Sequence, residues 1–392
     1  MTRLLILAIR FRLIVIRFRQ LGQGVILAAS LAGIAPVFAQ VQFPQGEFPL
    51  TDFERSSISI DEIMTGGPPR DGIPSIDDPT FVSISAASEW LDSREPVIAL
   101  NHEGEARAYP IQILMYHEIV NDVIGDTPVS ITFCPLCNAS IVFDRTVAHE
   151  DETNVLDFGT TGRLRNSDLV MYDRQTESWW QQFTGQGIIG KYTDTTLLQL
   201  PSQIVSFAEF SEAYADASVL SRETGFNRPY GNNPYRGYDA IDNNPFLFQG
   251  EIDSRLPAME RVLSIRLQSA TQLIPLSPLL EQPLLNLTLD QKPVAVFAAS
   301  TAASALDAGK IADSRAVPSA AAFSAVVNDK ALSFKLLDGA IIDQQTGSEW
   351  NAFGQAVRGP LKSTQLLQLD QGVHFAFAWL AFDPAAVVVE LP

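Results

Sequence analysis

Apolar and polar residues alternate along most of this chain with a period of two. Such runs occupy 97–100, 105–109, 129–133, 140–144, 154–158 and 168–173, with Gly, Asn and Asp between them, and each reads as a short strand. Helical spacing is rare. One helix is predicted over 111–120, where Ile111, Leu114 and Met115 recur, ending near Asn121; a second covers 207–217, where Phe207, Phe210 and Tyr214 share a face. This rhythm predicts an α+β fold, mainly antiparallel β with few helices.

The pattern also recurs at long range. Shifting the chain by 165 residues sets Val97-Ile98-Ala99-Leu100 against Val262-Leu263-Ser264-Ile265, Asn121 against Asn286, and Pro128-Val129 against Pro293-Val294. Further on, Asp-x-Gln-Thr-x-Ser-x-Trp occurs at 173–180 and again at 343–350, and Leu-Leu-Gln-Leu at 197–200 and 366–369. The chain therefore reads as two diverged copies of one β-rich unit. The expected division is a signal peptide over 1–39, an N-terminal extension over 40–95, a first copy over 96–224, an Asn/Pro/Tyr-rich connection over 225–260, and a second copy over 261–392.

Comparing the copies separates scaffold from chemistry. The only cysteines, Cys134 and Cys137, face Ala299 and Ala302, and His117 faces Gln282, so the first copy is the working half. The cysteines enclose Pro135-Leu136 between two strand-like runs, which places them in a tight turn rather than at the helix start used by thioredoxin-type pairs. The shared Asp-x-Gln-Thr-x-Ser-x-Trp segment reads as a turn with a core Trp. Gly159-Thr160-Thr161-Gly162 and Gly185-Gln186-Gly187 also read as turns, because neither has the context of a phosphate loop. Glu118, Asp122, Asp144, Asp157 and Asp173 are too scattered to nominate an acid/base pair, and His102, His149 and His374 carry no accompanying chemistry.

Charge and the N-terminus set the compartment. The first 39 residues carry five arginines and no acid, then an apolar stretch from Val25 to Phe38 and a small-residue cleavage site at Val37-Phe38-Ala39. Export to the periplasm or beyond is expected, with no membrane span left after cleavage. Removing the segment moves the formal charge from −18 to −23, and no basic run remains to attract nucleic acid.

Tyr109-Pro110, His117-Glu118-Ile119-Val120-Asn121-Asp122, Thr132-Phe133-Cys134-Pro135-Leu136-Cys137 and Met171-Tyr172-Asp173-Arg174-Gln175-Thr176 resemble the hallmarks of domain-of-unknown-function family 3179. The resemblance runs from about Asp71 to Pro384 and departs at Asn138, where a glycine is usual; Asn tolerates the left-handed turn. It implies an exported bacterial or archaeal protein without an assigned reaction. The selenoproteins among such relatives imply redox use, if the selenium replaces a thiol of this pair.

Three functions are compatible with these residues. In the first, Cys134 and Cys137 perform thiol/disulfide chemistry on an unknown redox partner or small-molecule substrate, with His117 promoting ionisation. In the second, the same three residues bind copper or zinc. In the third, the protein is a non-enzymatic binding or structural module.

Overall fold

The computed structural model describes residues 46–391. The export segment expected at 1–39 lies outside them. Strands dominate, nearly all antiparallel, and helices are few and short.

The helix Ile111–His117 shows why. Ile111, Gln112, Ile113, Leu114, Met115 and His117 are all buried, so it is a core plug rather than a half-exposed surface helix. Glu118 ends it in the left-handed conformation (φ 58°), and its N–H bonds to Leu114 O. The chain turns at once into the strand Ile119–Ile124, so the helix stops at His117, short of the expected 120. The second helix, Phe207–Ala213, is capped by Ser206, whose side chain accepts from Glu209 N–H.

Three sheets of four or five strands and a two-stranded ribbon, Thr146–His149 with Glu152–Val155, make up the Cys-containing half. One runs Gln203–Ser206, Pro96–His102, Glu105–Pro110, Ser218–Leu220, Phe81–Ser83. The second runs Gln199–Leu200, Ala139–Asp144, Thr127–Cys134, Ile119–Ile124; the third, Met64–Thr65, Phe158–Arg165, Asp168–Asp173, Trp179–Gln181, Gln186–Ile189. In the other half, one sheet runs Asp370–Phe375, Arg261–Arg266, Thr271–Pro275, Val387–Val388, which is the order of the first four strands of the first sheet. Even the parallel pairing recurs: Ser218–Leu220 lies parallel to Glu105–Pro110, and Val387–Val388 to Thr271–Pro275.

The core crosses the midpoint of the chain. The largest apolar cluster includes Phe133, Cys134, Cys137 and Trp180 together with Val262, Leu273, Phe375 and Trp379. The connection is ordered against both halves. Asp239, fully buried, accepts from Arg261 Nη2 (2.7 Å), Arg315 Nη2 (2.7 Å) and Ser304 Oγ (2.5 Å). The neighbouring Tyr238 donates its hydroxyl to Leu136 O (3.0 Å), inside the cysteine turn.

Gly159 and Gly162 are not in a loop as expected from their spacing. They lie within the strand Phe158–Arg165, where the register shifts between Thr160 and Arg163. Gly162 has φ +69°, and a Cβ there would sit 2.0 Å from Pro68 O, so the close passage of residues 66–69 requires glycine. Among the described residues no helix is long and apolar enough to cross a membrane.

Candidate metal centre

The cysteine turn is a product of local backbone chemistry. Cys134 is the last residue of its strand and pairs with Ala139. Pro135 opens a one-turn 3-10 helix, Pro135–Cys137, and Asn138 closes it with φ 49°. The Asn138 side-chain Nδ2 then donates to Val373 O (3.3 Å), tying the turn to the other half of the chain. This geometry folds the two cysteines back to within 4.3 Å of each other, without a disulfide, and both are buried.

Asp168 completes the cluster. Asn166 and Ser167, with φ of 50° and 67°, form the two-residue turn of the hairpin between Phe158–Arg165 and Asp168–Asp173. That hairpin carries Asp168 into the interior, where one carboxylate oxygen and the two sulfurs lie within 4.8 Å of one another. Asp168 Oδ2 accepts from Gln181 Nε2 (2.7 Å) and Phe183 N–H (2.9 Å), whereas Oδ1 is buried and meets no N–H or O–H donor. The Cys134 thiol points toward Ser167 O (3.8 Å).

Residues from the Asp-x-Gln-Thr-x-Ser-x-Trp segment hold this arrangement from behind. Asp173 accepts from Thr176 N–H (2.6 Å) and Trp180 Nε1 (3.0 Å), which fixes the turn and the following strand. The strand then aims Gln181 at Asp168, while Gln182 Nε2 donates to Thr132 Oγ1 (2.8 Å) and Ala139 O (3.2 Å) across to the cysteine-bearing sheet. The segment forms the expected turn, and Trp179 and Trp180 open the buried strand that follows it. What spacing could not show is that its far end orients an acid.

Electrostatically the cluster is an accumulation of acids away from water. Burial pushes Asp168 up to about 7, against the hydrogen bonds from Gln181 and Phe183. Burial raises the Cys134 thiol as well, with the fields of Asp168 and Glu118 adding to it, and raises Cys137 further. Glu118 is pushed up to about 8 by burial and by Asp168.

A family model described as a protein of unknown function (DUF3179) matches residues 70–386. The chain belongs to this family. No curated protein and no solved structure matches it. The DUF3179 match spans the cysteine turn, the Asp168 hairpin, the connection and the strands at the far end of the chain, so every residue of the cluster lies inside it.

Of the residues expected at the site, the structure brings Cys134 and Cys137 together and leaves His117 out of the cluster. Both ring nitrogens of His117 are engaged elsewhere: Nδ1 with Pro74 O (2.8 Å) and Nε2 with the Tyr230 hydroxyl (2.6 Å). Sequence reasoning missed Asp168 and passed over Glu118. Asn-Ser-Asp between alternating runs is a legible hairpin signal, but nothing in it says that the turn meets residues more than thirty positions away.

Proposed function

We propose that this DUF3179 protein is an exported metal-binding protein whose ion is held by Cys134, Cys137 and Asp168. The observation that carries this reading is Asp168 itself. It is fully buried, one oxygen is fixed by Gln181 and the Phe183 N–H, and the other meets no N–H or O–H donor and faces only the two thiols. A buried carboxylate oxygen without such a donor is costly, and a cation bound by all three groups removes the cost.

Zinc suits the donors best, since it accepts thiolate and carboxylate together; copper(I), the other ion expected from the sequence, favours the sulfurs but not the carboxylate. Three protein ligands leave a position open, the pattern of reactive rather than purely structural zinc sites. Thiol exchange fits less well. A nucleophilic cysteine needs a lowered pKa and an exposed sulfur, and both thiols here are buried and shifted upward.

Metal analysis combined with thiol counting on the purified full chain tests the reading. Expected are one zinc per chain and two thiols that react only after chelation, with Asp168→Asn losing the metal while keeping the fold. Protein that lacks bound metal and contains a reversibly reducible Cys134–Cys137 disulfide overturns it in favour of redox chemistry.

A further inference from the structure

A cavity of about 130 Å³ adjoins the cluster and has Cys134 in its wall. Apart from that cysteine, its wall is mainly apolar, built by Leu136, Leu164, Leu169 and Leu247, with four polar members; Thr160 donates to Ile73 O and Arg163 pairs with Glu47, which leaves Glu118 and Tyr235. Neither polar group is committed to the protein. Among the described residues the Glu118 carboxyl, on a residue only 8% exposed, has no hydrogen-bond partner, and neither has the Tyr235 hydroxyl. Elsewhere in the fold, buried carboxylates are engaged: Asp122 takes Tyr109 and Arg107, Asp239 takes two arginines and Ser304. Glu118 stands apart from that rule, held in a left-handed backbone conformation that sets its side chain against the cavity.

Glu118 is also not a fourth member of the cysteine cluster, whose donor atoms are those of Cys134, Cys137 and Asp168 alone. The roof over the cavity comes from the connection. Phe246 and Leu247 line it, and Ser167, next to Asp168, donates its hydroxyl to Phe246 O.

We propose that this cavity is a binding pocket for a small molecule with an apolar body and one hydroxyl or carbonyl group, seated against Cys134 of the proposed metal cluster. The volume has room for about four water-sized groups, which sets the ligand at roughly the size of a three-carbon alcohol. Leu136, Leu164, Leu169 and Leu247 enclose the carbon chain; Glu118 and Tyr235 supply the acceptor and donor for its oxygen. The proposal deepens the metal reading and rests on it.

The test uses the full chain loaded with cobalt(II), whose visible bands report both binding and the coordination around it. Propan-1-ol is the probe and hexan-1-ol its oversized counterpart. Propan-1-ol should shift the cobalt bands saturably and hexan-1-ol should not. Leu247→Phe should weaken the propan-1-ol response by at least about tenfold with cobalt stoichiometry unchanged, as expected for a pocket overfilled by a few carbons. Leu247→Ala should instead admit hexan-1-ol, and Glu118→Leu should weaken the response to propan-1-ol. Stoichiometric cobalt whose bands ignore propan-1-ol, or respond equally in the wild type and Leu247→Phe, overturns the pocket and leaves the metal site standing. Failure of cobalt to bind through Cys134, Cys137 and Asp168 removes both.

Discussion

Asn121 and Asn286 make the same pair of hydrogen bonds, each within its own half of the chain. Asn121 Nδ2 donates to Phe158 O (2.8 Å) and its Oδ1 accepts from Phe158 N–H (3.1 Å); Asn286 does the same with Phe334 O (2.9 Å) and Phe334 N–H (2.7 Å). The surroundings differ, since Asn121 is buried and Asn286 exposed.

Equal geometry with unequal burial predicts unequal cost. Asn121→Ala leaves two backbone groups unpaired away from water and should lower stability by about 2–3 kcal/mol, whereas Asn286→Ala lets water replace the side chain and should cost about 1 kcal/mol or less. Urea unfolding of both variants checks this. Equal losses would mean that the burial of these residues does not set their contribution.

Metal affinity should depend on a residue that is not a ligand. Gln181→Ala frees the Asp168 carboxylate to rotate and should reduce zinc affinity by about 10–100-fold, as loss of a group orienting a ligand generally does. His117→Gln should leave zinc affinity unchanged, because His117 is bonded to Pro74 and Tyr230. Competition against a chromophoric chelator measures both, and a loss in His117→Gln comparable to that in Gln181→Ala would return the histidine to the centre.

The pH dependence of stability should contain opposing contributions away from the cysteines. Burial raises Glu95 to about 7, so its contribution is fully present below about pH 4.5, where both states are protonated, and is lost as pH rises to 7. Burial lowers His374 to about 3, so its contribution is present above about pH 6.5 and is lost as pH falls toward 3. The two partly cancel in the wild type. Glu95→Gln should uncover the histidine slope, gaining stability relative to wild type by up to about 3 kcal/mol between pH 4.5 and pH 7, which thermal melts across that range would show.

Access to the thiols should be governed by the connection. Tyr238→Phe removes the hydroxyl that donates to Leu136 O and accepts from Phe246 N–H, at a cost near 1 kcal/mol. On chelated protein it should speed thiol modification several-fold while the unfolding midpoint shifts little. Asp239→Asn unbalances a buried cluster with two arginines and should cost more, about 3 kcal/mol or above. An unchanged modification rate in Tyr238→Phe would mean that the thiols are reached by another route.

What the sequence disclosed follows from the range of each interaction. Short strands and the cysteine turn are local events, and alternation together with Pro135 and Asn138 specified them. The helix at 111 was found, but its length was overestimated because Ile119 and Val120 continue the apolar run after Glu118 has already left the helical conformation. The 225–260 segment was legible as irregular and aromatic; that Tyr238 and Phe246 cover the cysteines depends on contacts across about a hundred residues. Asp168 was hidden for the same reason. The equivalence read between Asp173 and Asp343 has a structural parallel, since Asp343 likewise accepts from Thr346 N–H (2.6 Å) and Trp350 Nε1 (3.1 Å). Yet at the offset that pairs Asp173 with Asp343, Asp168 meets Asp338, which is exposed in the turn of its hairpin rather than buried at the start of a strand.

On the metal-binding proposal, a centre covered by the chain's own connection is filled as the chain folds. Once Tyr238 is seated on Leu136 and Asp239 is locked between its arginines, the connection closes over the cysteine turn, and an ion in bulk solution reaches the sulfurs more slowly than before closure. For an ion held by Cys134, Cys137 and Asp168, identity is therefore settled by which metals surround the nascent protein at closure. Intrinsic affinity, which would favour copper over zinc at almost any thiolate site, has little chance to correct the choice later. The place of folding, in effect, becomes a selectivity filter.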